Sequence, residues 1–245
     1  MFQFPEPHDW QGFFISRCPS TNTTIGDYLA QTNAPFVYLC TDEQTHGRGQ
    51  RNTHWESEAG KNLLLSLAIR QLALPPEAAF WLMARVSLAV RRLIEDLTHL
   101  PVQIKWPNDI LIEGQKIAGI LIENQIRERH IRQSIIGIGV NINQVYFQYP
   151  TATSLHLLTG AVFDLPEILH RILLQLHQSP ADQRTLKHDY LKYLFAYAEE
   201  REFLRVLDQH RFVGRVADVN AWGQLVIESQ REGIQVFDLK GIVFL

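Results

Sequence analysis

Apolar residues along this chain fall into three successive textures. From Phe36 to Glu43 (FVYLCTDE) and from Asn62 to Ile69 (NLLLSLAI) they form short, nearly continuous runs bounded by polar turn residues, which predicts buried strands. Beyond Pro75 and Pro76 the spacing changes: Phe80, Met83, Val86, Val90, Leu93, Ile94 and Leu97 recur at helical intervals until Pro101, predicting one long amphipathic helix. Three β-rich segments follow between residues 102 and 143, VQIKWP, ILIEGQKIAGILIEN and QSIIGIGVNIN, the second folded over a turn at Glu113 to Gln115. Two further helices are predicted, one starting at Pro166 (Ile168, Leu169, Ile172, Leu173, Leu176) and one carrying Leu186, Tyr190, Leu191, Leu194 and Phe195. From Glu199 to Leu245 apolar and polar residues alternate in FLRVL, FVGRVADV, QLVIES and IQVFDL, separated by turn signals, which predicts a small all-β barrel. The boundary falls at 198/199, with a sheet-and-helix domain over 1–198 and the barrel over 199–245.

Composition narrows the class. With 245 residues, 46% hydrophobic and 20% charged, the chain is long enough for one large core and something smaller. A net charge of −3, from 23 basic and 26 acidic residues, gives no general attraction for nucleic acid or acidic membranes, so any polyanion must meet a focused patch. Two cysteines, Cys18 and Cys40, make neither a disulfide framework nor a metal cluster and fit a reducing, cytoplasmic setting. The opening MFQFPEPHDWQGFFI lacks the basic start of a signal peptide, and no apolar run approaches the roughly 18 residues of a membrane span, so a soluble protein is expected. Eighteen residues before Pro19 leave no room there for a helix-turn-helix.

Chemistry concentrates in four places. In TDEQTHGRGQRNTHWES, residues 41–57, Gly47 and Gly49 free the backbone near Arg48 and Arg51, so the stretch reads either as an anion-binding loop or as a solvated glycine turn. It is neither a GxxxxGK[ST] phosphate loop nor a GxGxxG helix opening. In KWPND, Pro107 ends the strand. Alternation places Val102, Ile104 and Trp106 on one face and Gln103 and Lys105 on the other, leaving Lys105 as a strand-end charge or a functional cation. In IIGIGVNIN, Gly137, Gly139, Asn141 and Asn143 share one bare face, open to a ligand or to tight helix packing. Ser20, Thr21 and Asn22 read as a helix N-cap cluster whose hydroxyls and amides could also meet a polar ligand. The histidines show no HExxH spacing, and no GxSxG elbow occurs.

Taken in order, STN at 20–22, QTHGRGQR at 44–51, KWPND at 105–109, KIAGILIE at 116–123 and GIGVNIN at 137–143 resemble the biotin protein ligases. The resemblance is to non-repressor members without an N-terminal DNA-binding domain. It implies an α+β fold with a mixed sheet and helices, related to class II synthetases, plus an SH3-like C-terminal barrel. It also implies two reactions: the biotin carboxylate attacks the α-phosphorus of MgATP to give biotinyl-5′-adenylate and pyrophosphate, and a lysine of a biotin carboxyl carrier protein then attacks the acyl group. The glycine-rich loop would be a lid over the adenylate.

By the same resemblance Lys105, Arg48, Arg51 and Lys116 are the catalytic cations, since two anionic reactants need neutralising. Lys105 would contact the biotin carboxylate and α-phosphate. Asn108 would meet the nucleotide and Asp109 the magnesium ion. Ser20, Thr21, Asn22 and Gln44 would bind the biotin ring system, with Gly137 and Gly139 as the bed beneath it. Trp55 would cover the adenine, and Gly49, Gln50, Gly119 and Asn141 complete the binding set. The family's GRGRRG reads GRGQRN here, so Arg51 is expected to carry phosphate duty that the uncharged Gln50 cannot. The rivals are a lipoate or octanoate ligase or transferase, whose arginine-rich triple-glycine signature is missing, a catalytically silent binding module of the same fold, and, more remotely, a repressor. Monomer or homodimer is left open, and no DNA or membrane partner is expected.

Overall fold

The computed structural model of the protein describes residues 2–50 and 53–245. Its first strand, β1 (Gln11–Cys18), leads through α1 (Thr21–Leu29) to β2 (Phe36–Gln44), then β3 (Leu63–Ile69) and the long α2 (Ala78–Thr98). Next come β4 (Val102–Lys105), β5 (Asp109–Ile112), β6 (Gln115–Arg127) and β7 (His130–Val140), then α3 (Leu155–Thr159), α4 (Leu165–Gln178) and α5 (Gln183–Lys192). Five short strands close the chain: β8 (Glu200–Arg205), β9 (His210–Val219), β10 (Leu225–Ser229), β11 (Gly233–Phe237) and β12 (Ile242–Phe244).

The first seven strands pair in the order β1-β2-β3-β7-β6-β5-β4. Only β1 and β2 run parallel, joined by the α1 crossover, and the other pairs are antiparallel, so the sheet is mixed. Tight turns set the antiparallel registers: Glu113 and Gly114 between β5 and β6, and Glu128 and Arg129 between β6 and β7, all have positive φ, the twist that two-residue hairpin turns require.

Alternation along β3 sorts side chains to two cores. Leu63, Leu65, Leu67 and Ile69 join Val86, Val90, Leu93 and Ile94 of α2 in the main core, whereas Ala68 joins Ile25 and Leu29 of α1 with Val37 and Leu39 of β2 in a smaller one. The predicted apolar stripe of α2 is therefore the side that covers the sheet. Helix α1 covers the opposite face at the β1–β3 end, leaving that face of β7, β6 and β5 for something other than a helix.

Several predicted boundaries shift. Leu194 and Phe195 fall beyond α5, in a segment whose Tyr193 carbonyl and Phe195 amide bond to the backbone of Ile104 at 2.8 Å each. The edge strand β1, the one-turn α3 and the three-residue β12 were not predicted, because an exposed edge and elements this short carry too little periodicity. The C-terminal strands form an antiparallel sheet, β11-β10-β9-β8-β12. It curls around Phe203, Phe212, Phe237 and Phe244, with successive ring centroids 5.2 to 6.0 Å apart, although no pairing joins β11 to β12 among the described residues. This sheet is fastened to the rest of the protein by the segment after β4 and by α5: Trp106 Nε1 donates to the Gly223 carbonyl at 2.9 Å, and Lys187 pairs with Asp218 at 2.7 Å. Gly223, at φ +80, has no Cβ where the Phe80 ring lies, since one would sit 2.5 Å from it.

Candidate active site

On the face of β7, β6 and β5 that α1 leaves bare lies a cavity of about 560 Å³. Its floor is a row of glycines. Gly119 pairs with Gly139 across β6 and β7, and Gly137 stands two residues along, so three neighbouring positions lack side chains on this face. The space is used by the protein's own residues. A Cβ on Gly139 would lie 2.5 Å from Trp55 Cε2, one on Gly119 2.9 Å from Trp55 Cζ3, and one on Gly137 2.4 Å from Asn22 Oδ1. The expected bed beneath a ligand is thus first a bed for the Trp55 indole and the Asn22 amide, which then form the surface of the cavity.

The loop after β2 lies across this floor. Gly49 N donates to Thr53 O at 2.7 Å and Trp55 N to Gly47 O at 3.0 Å, folding the loop back on itself. A Cβ at Gly47 would stand 2.6 Å from the Trp55 carbonyl, so this glycine is needed for close approach. Arg48 holds the loop to the sheet, with its guanidinium 2.7 Å from Glu123 Oε1 and 3.3 Å from Thr23 Oγ1. Gln50 and Gly49 line the cavity. Arg51 and Asn52, on which part of the sequence reading rests, lie outside the described residues.

The start of α1 supplies a buried polar network. Ser20, Thr21 and Asn22 are all 5% exposed or less and line the cavity. Gln44 Oε1 accepts from Thr21 N at 2.8 Å and Thr21 Oγ1 at 3.1 Å. The Ser66 hydroxyl lies 2.7 Å from Thr21 Oγ1 and 2.6 Å from Asn22 Oδ1, while Asn22 Nδ2 donates to Glu123 Oε2 at 2.9 Å. Ser20 occupies the N-cap position as predicted, but its hydroxyl makes no capping bond; its carbonyl receives the Thr23 and Thr24 amides instead. That leaves the hydroxyl for the cavity.

At another part of the wall Lys116 Nζ stands 2.5 Å from Asp109 Oδ1 and 5.6 Å from the Trp55 ring. Asn108 is turned inward, its Nδ2 donating to Ile120 O at 2.6 Å. Asn141 Nδ2 donates to Thr153 O at 2.9 Å, leaving its Oδ1 buried without a partner. Trp55 Nε1 and Glu56 Oε2 are likewise buried and unpaired, so three of the seven orphaned buried side-chain atoms among the described residues belong to this one wall. Orphaned polar atoms cost free energy in a closed protein, and their gathering here points to a polar ligand that would satisfy them.

Both ion pairs are partly exposed, Arg48 and Glu123 at 46% and 37%, Lys116 and Asp109 at 38% and 30%. Such pairs contribute about 0–1 kcal/mol, so an arriving anion can displace either carboxylate at little cost. The two ion pairs therefore offer their cations to an anion beside a network that suits an amide-like ligand. Among the described residues no group of three or more His, Cys, Asp or Glu could hold a metal, so a cation here would need ligands from its substrate.

One predicted catalytic residue is elsewhere. Lys105 is absent from the cavity wall; its Nζ lies 5.8 Å from the Phe244 ring of the C-terminal sheet. The register Lys105–Asp109–Gly119–Gly139 puts Lys105 on the cavity face of the sheet, but on the edge strand β4, one strand beyond Asp109, where its ammonium lies beside Phe244 and not in the wall. Sequence reading also missed residues. Glu123 could have been found, because alternation along KIAGILIE puts it on the face of Gly119 and Leu121. Phe147, Tyr149 and Lys240 carry no local signal, since tertiary folding alone brings them to the wall.

The sequence profile described as "Biotin/lipoate A/B protein ligase family" matches residues 14–141. "Bifunctional ligase/repressor BirA" of Bacillus spizizenii is 35% identical over 226 residues, 88% of this chain and 68% of that protein. "Biotin--[acetyl-CoA-carboxylase] ligase" of Mycobacterium tuberculosis is 34% identical over 164 residues, 64% of this chain and 60% of that protein. Among solved structures, "Biotin protein ligase from Aquifex aeolicus in complex with biotin and ATP" superposes with a TM-score of 0.75 at 23% identity, over 96% of this chain and 98% of that one, which shows a shared fold.

Proposed function

We propose that this protein, which belongs to the biotin/lipoate A/B protein ligase family, is an ATP-dependent biotin protein ligase that forms biotinyl-5′-adenylate and transfers the biotinyl group to a lysine of a carrier protein. One observation carries the reading. Ser20, Thr21, Gln44, Arg48, Lys116 and the glycine floor, 119 residues apart at their extremes, converge on a single cavity that presents hydrogen-bonding groups at one part and displaceable ion pairs at another.

In the first reaction a biotin carboxylate oxygen bonds to the α-phosphorus, the bond from that phosphorus to the bridging oxygen breaks, and pyrophosphate leaves. Two anions must approach, so Arg48 and Lys116 stabilise the reactants and the charge that builds on the phosphorus oxygens. Glu123 and Asp109 hold these cations in place until the ligands replace them. The ureido ring of biotin meets the Thr21, Gln44 and Asn22 network, where an analogue lacking its polar groups would leave buried partners unpaired. Trp55, seated on Gly119 and Gly139, gives an aromatic surface for the adenine. In the second reaction a carrier lysine, as the neutral amine, attacks the acyl carbon and AMP departs.

Magnesium would enter with the nucleotide: Asp109 offers one carboxylate, the phosphates and water would supply the remaining oxygens, and the ion would neutralise phosphate charge. Burial raises the Cys40 thiol to about 12 and also raises Cys18, so both buried thiols stay protonated near neutral pH, which suits the cytoplasmic setting we assign. No helix among the described residues is long and apolar enough to cross a membrane. We keep the division into a ligase domain, 1–198, and a C-terminal domain, 199–245, as part of this reading.

The test is ATP–pyrophosphate exchange with biotin, followed by transfer of labelled biotin to a recombinant carrier domain, with lipoate in parallel. The expected result is biotin-dependent exchange and labelling of one lysine. Exchange driven by lipoate and not by biotin would replace the reading with a lipoate ligase, and no exchange with either would leave a silent binding module.

A further inference from the structure

The C-terminal segment beyond residue 198 contributes one residue to the cavity lining, Lys240. It stands in the turn between β11 and β12, two residues before Ile242, the first residue of β12. The same strand ends at Phe244, against which Lys105 lies, and the neighbouring Trp106 is bonded to Gly223. The sheet is thus fastened beside Pro107, and its turn meets the wall that also holds Asn108 and Asp109.

Two features separate Lys240 from the other cations of the wall. Arg48 and Lys116 each have a carboxylate partner, whereas Lys240 has no ion-pair partner among the described residues. Its backbone has φ +65, the left-handed region where glycine or asparagine is the ordinary choice and a lysine is strained. The turn is held in that shape by Gln224 Nε2, which donates to Asp238 Oδ1 at 2.9 Å, and by Gly241 N, which donates to Asp238 O at 2.9 Å. A long cationic side chain is therefore kept, against its backbone preference, at the edge of a cavity that receives a triphosphate.

We propose that Lys240 is a substrate-binding residue that contacts the β- and γ-phosphates of ATP and the pyrophosphate they become. The inference rests on the biotin ligase reading and deepens it: the second sheet completes the nucleotide site by supplying a cation with no internal partner. Contact with a carrier protein fits less well, since the lysine lines the cavity rather than only the outer surface.

Steady-state exchange on the full chain tests this with Lys240→Gly, Lys240→Gln and Lys240→Arg. Losing a charged hydrogen bond to phosphate should raise the apparent KM for both ATP and pyrophosphate by about tenfold. The KM for biotin should stay unchanged and kcat should fall less, because the contact exists before the α-phosphorus reacts. Lys240→Arg should restore most of the loss. Lys240→Gly relieves the left-handed strain, so its thermal midpoint should hold or rise while ATP binding weakens, the opposite of what a merely structural lysine would show. ATP and pyrophosphate KM values within twofold of wild type in Lys240→Gly and Lys240→Gln would overturn the proposal, and a rise confined to the carrier KM would overturn it in favour of a carrier contact. A wild-type protein without biotin-dependent exchange would sink the ligase reading, and this inference with it.

Discussion

Single side chains decide what this cavity can hold. Gly139, one residue from the end of β7, is paired on both sides, to Leu64 of β3 and Gly119 of β6, so a methyl group there is met by moving the Trp55 indole and not the strand. Gly139→Ala should cost about 1–3 kcal/mol, as overpacking does, and should alter tryptophan fluorescence and weaken nucleotide binding together. An unchanged emission spectrum with intact activity would show that Trp55 is not held as described. The two motif lysines should also separate. Lys116→Ala, which empties the wall of a cation, should lower exchange kcat/KM by about 10²- to 10³-fold, while Lys105→Ala, outside the wall, should stay within about two- to threefold of wild type. The reverse order would return the catalytic role to Lys105. At this scale much was legible: Ser20, Thr21, Asn22, Gln44, Arg48, Lys116 and the glycines all reach one cavity. Lys105 stands outside that lining because it sits on the edge strand β4, one strand beyond Asp109, and motif membership says nothing about how far from the floor a strand lies.

Elements follow their apolar spacing and end where local chemistry stops them. Helix α2 runs to Thr98 and terminates at His99, in the left-handed conformation at φ 57, two residues before Pro101. Near its end Arg91, 4% exposed, donates to Glu95 at 2.9 and 2.6 Å and lies 3.5 Å above the Tyr193 ring. The Arg91 hydrogen bonds hold the Glu95 carboxyl below its ordinary value, with burial opposing the shift. A lowered folded-state value means that the stabilisation is present above the unfolded value, 4.5, and is lost as pH falls through the folded one. Glu95→Gln should therefore lower the thermal midpoint at pH 7, with the gap from wild type closing as the pH falls below 4.5 and through the folded-state value. A gap that persists at low pH would mean the glutamate acts through packing and not charge. The predicted helices over α2 and α4 and the runs over β2, β3, β6 and β7 are found because each buries one continuous apolar face. The end of α5 was overrun in prediction because Leu194 and Phe195 keep helical spacing while their backbone is taken by Ile104 of β4.

At the scale of the molecule, function depends on two sheets held in register. Trp106, from KWPND, reaches across to Gly223, and Gly223 in turn leaves room for Phe80 of α2. Trp106→Phe keeps most of the ring but removes the donor, leaving the Gly223 carbonyl unpaired. It should cost about 1 kcal/mol and increase hydrogen exchange in the 220–224 turn more than in the β3–β7 core. Equal protection in both regions would show that the sheets are not fastened here.

From the order of its residues alone, the chain determined which segments become strands and helices, that a glycine-rich polar loop interrupts two buried strands, and which family's motifs it carries. Those properties are local: they follow from side-chain volume, polarity and backbone freedom within a few residues. Only the tertiary structure decided that Gly119 and Gly139 seat Trp55, that Glu123 holds both Arg48 and Asn22, that Lys105 lies at the sheet edge beside Phe244, and that Lys240 arrives from the other sheet. Contacts between residues a hundred positions apart depend on strand order and on the side from which each element packs, and neither is written in the spacing of neighbours along the chain.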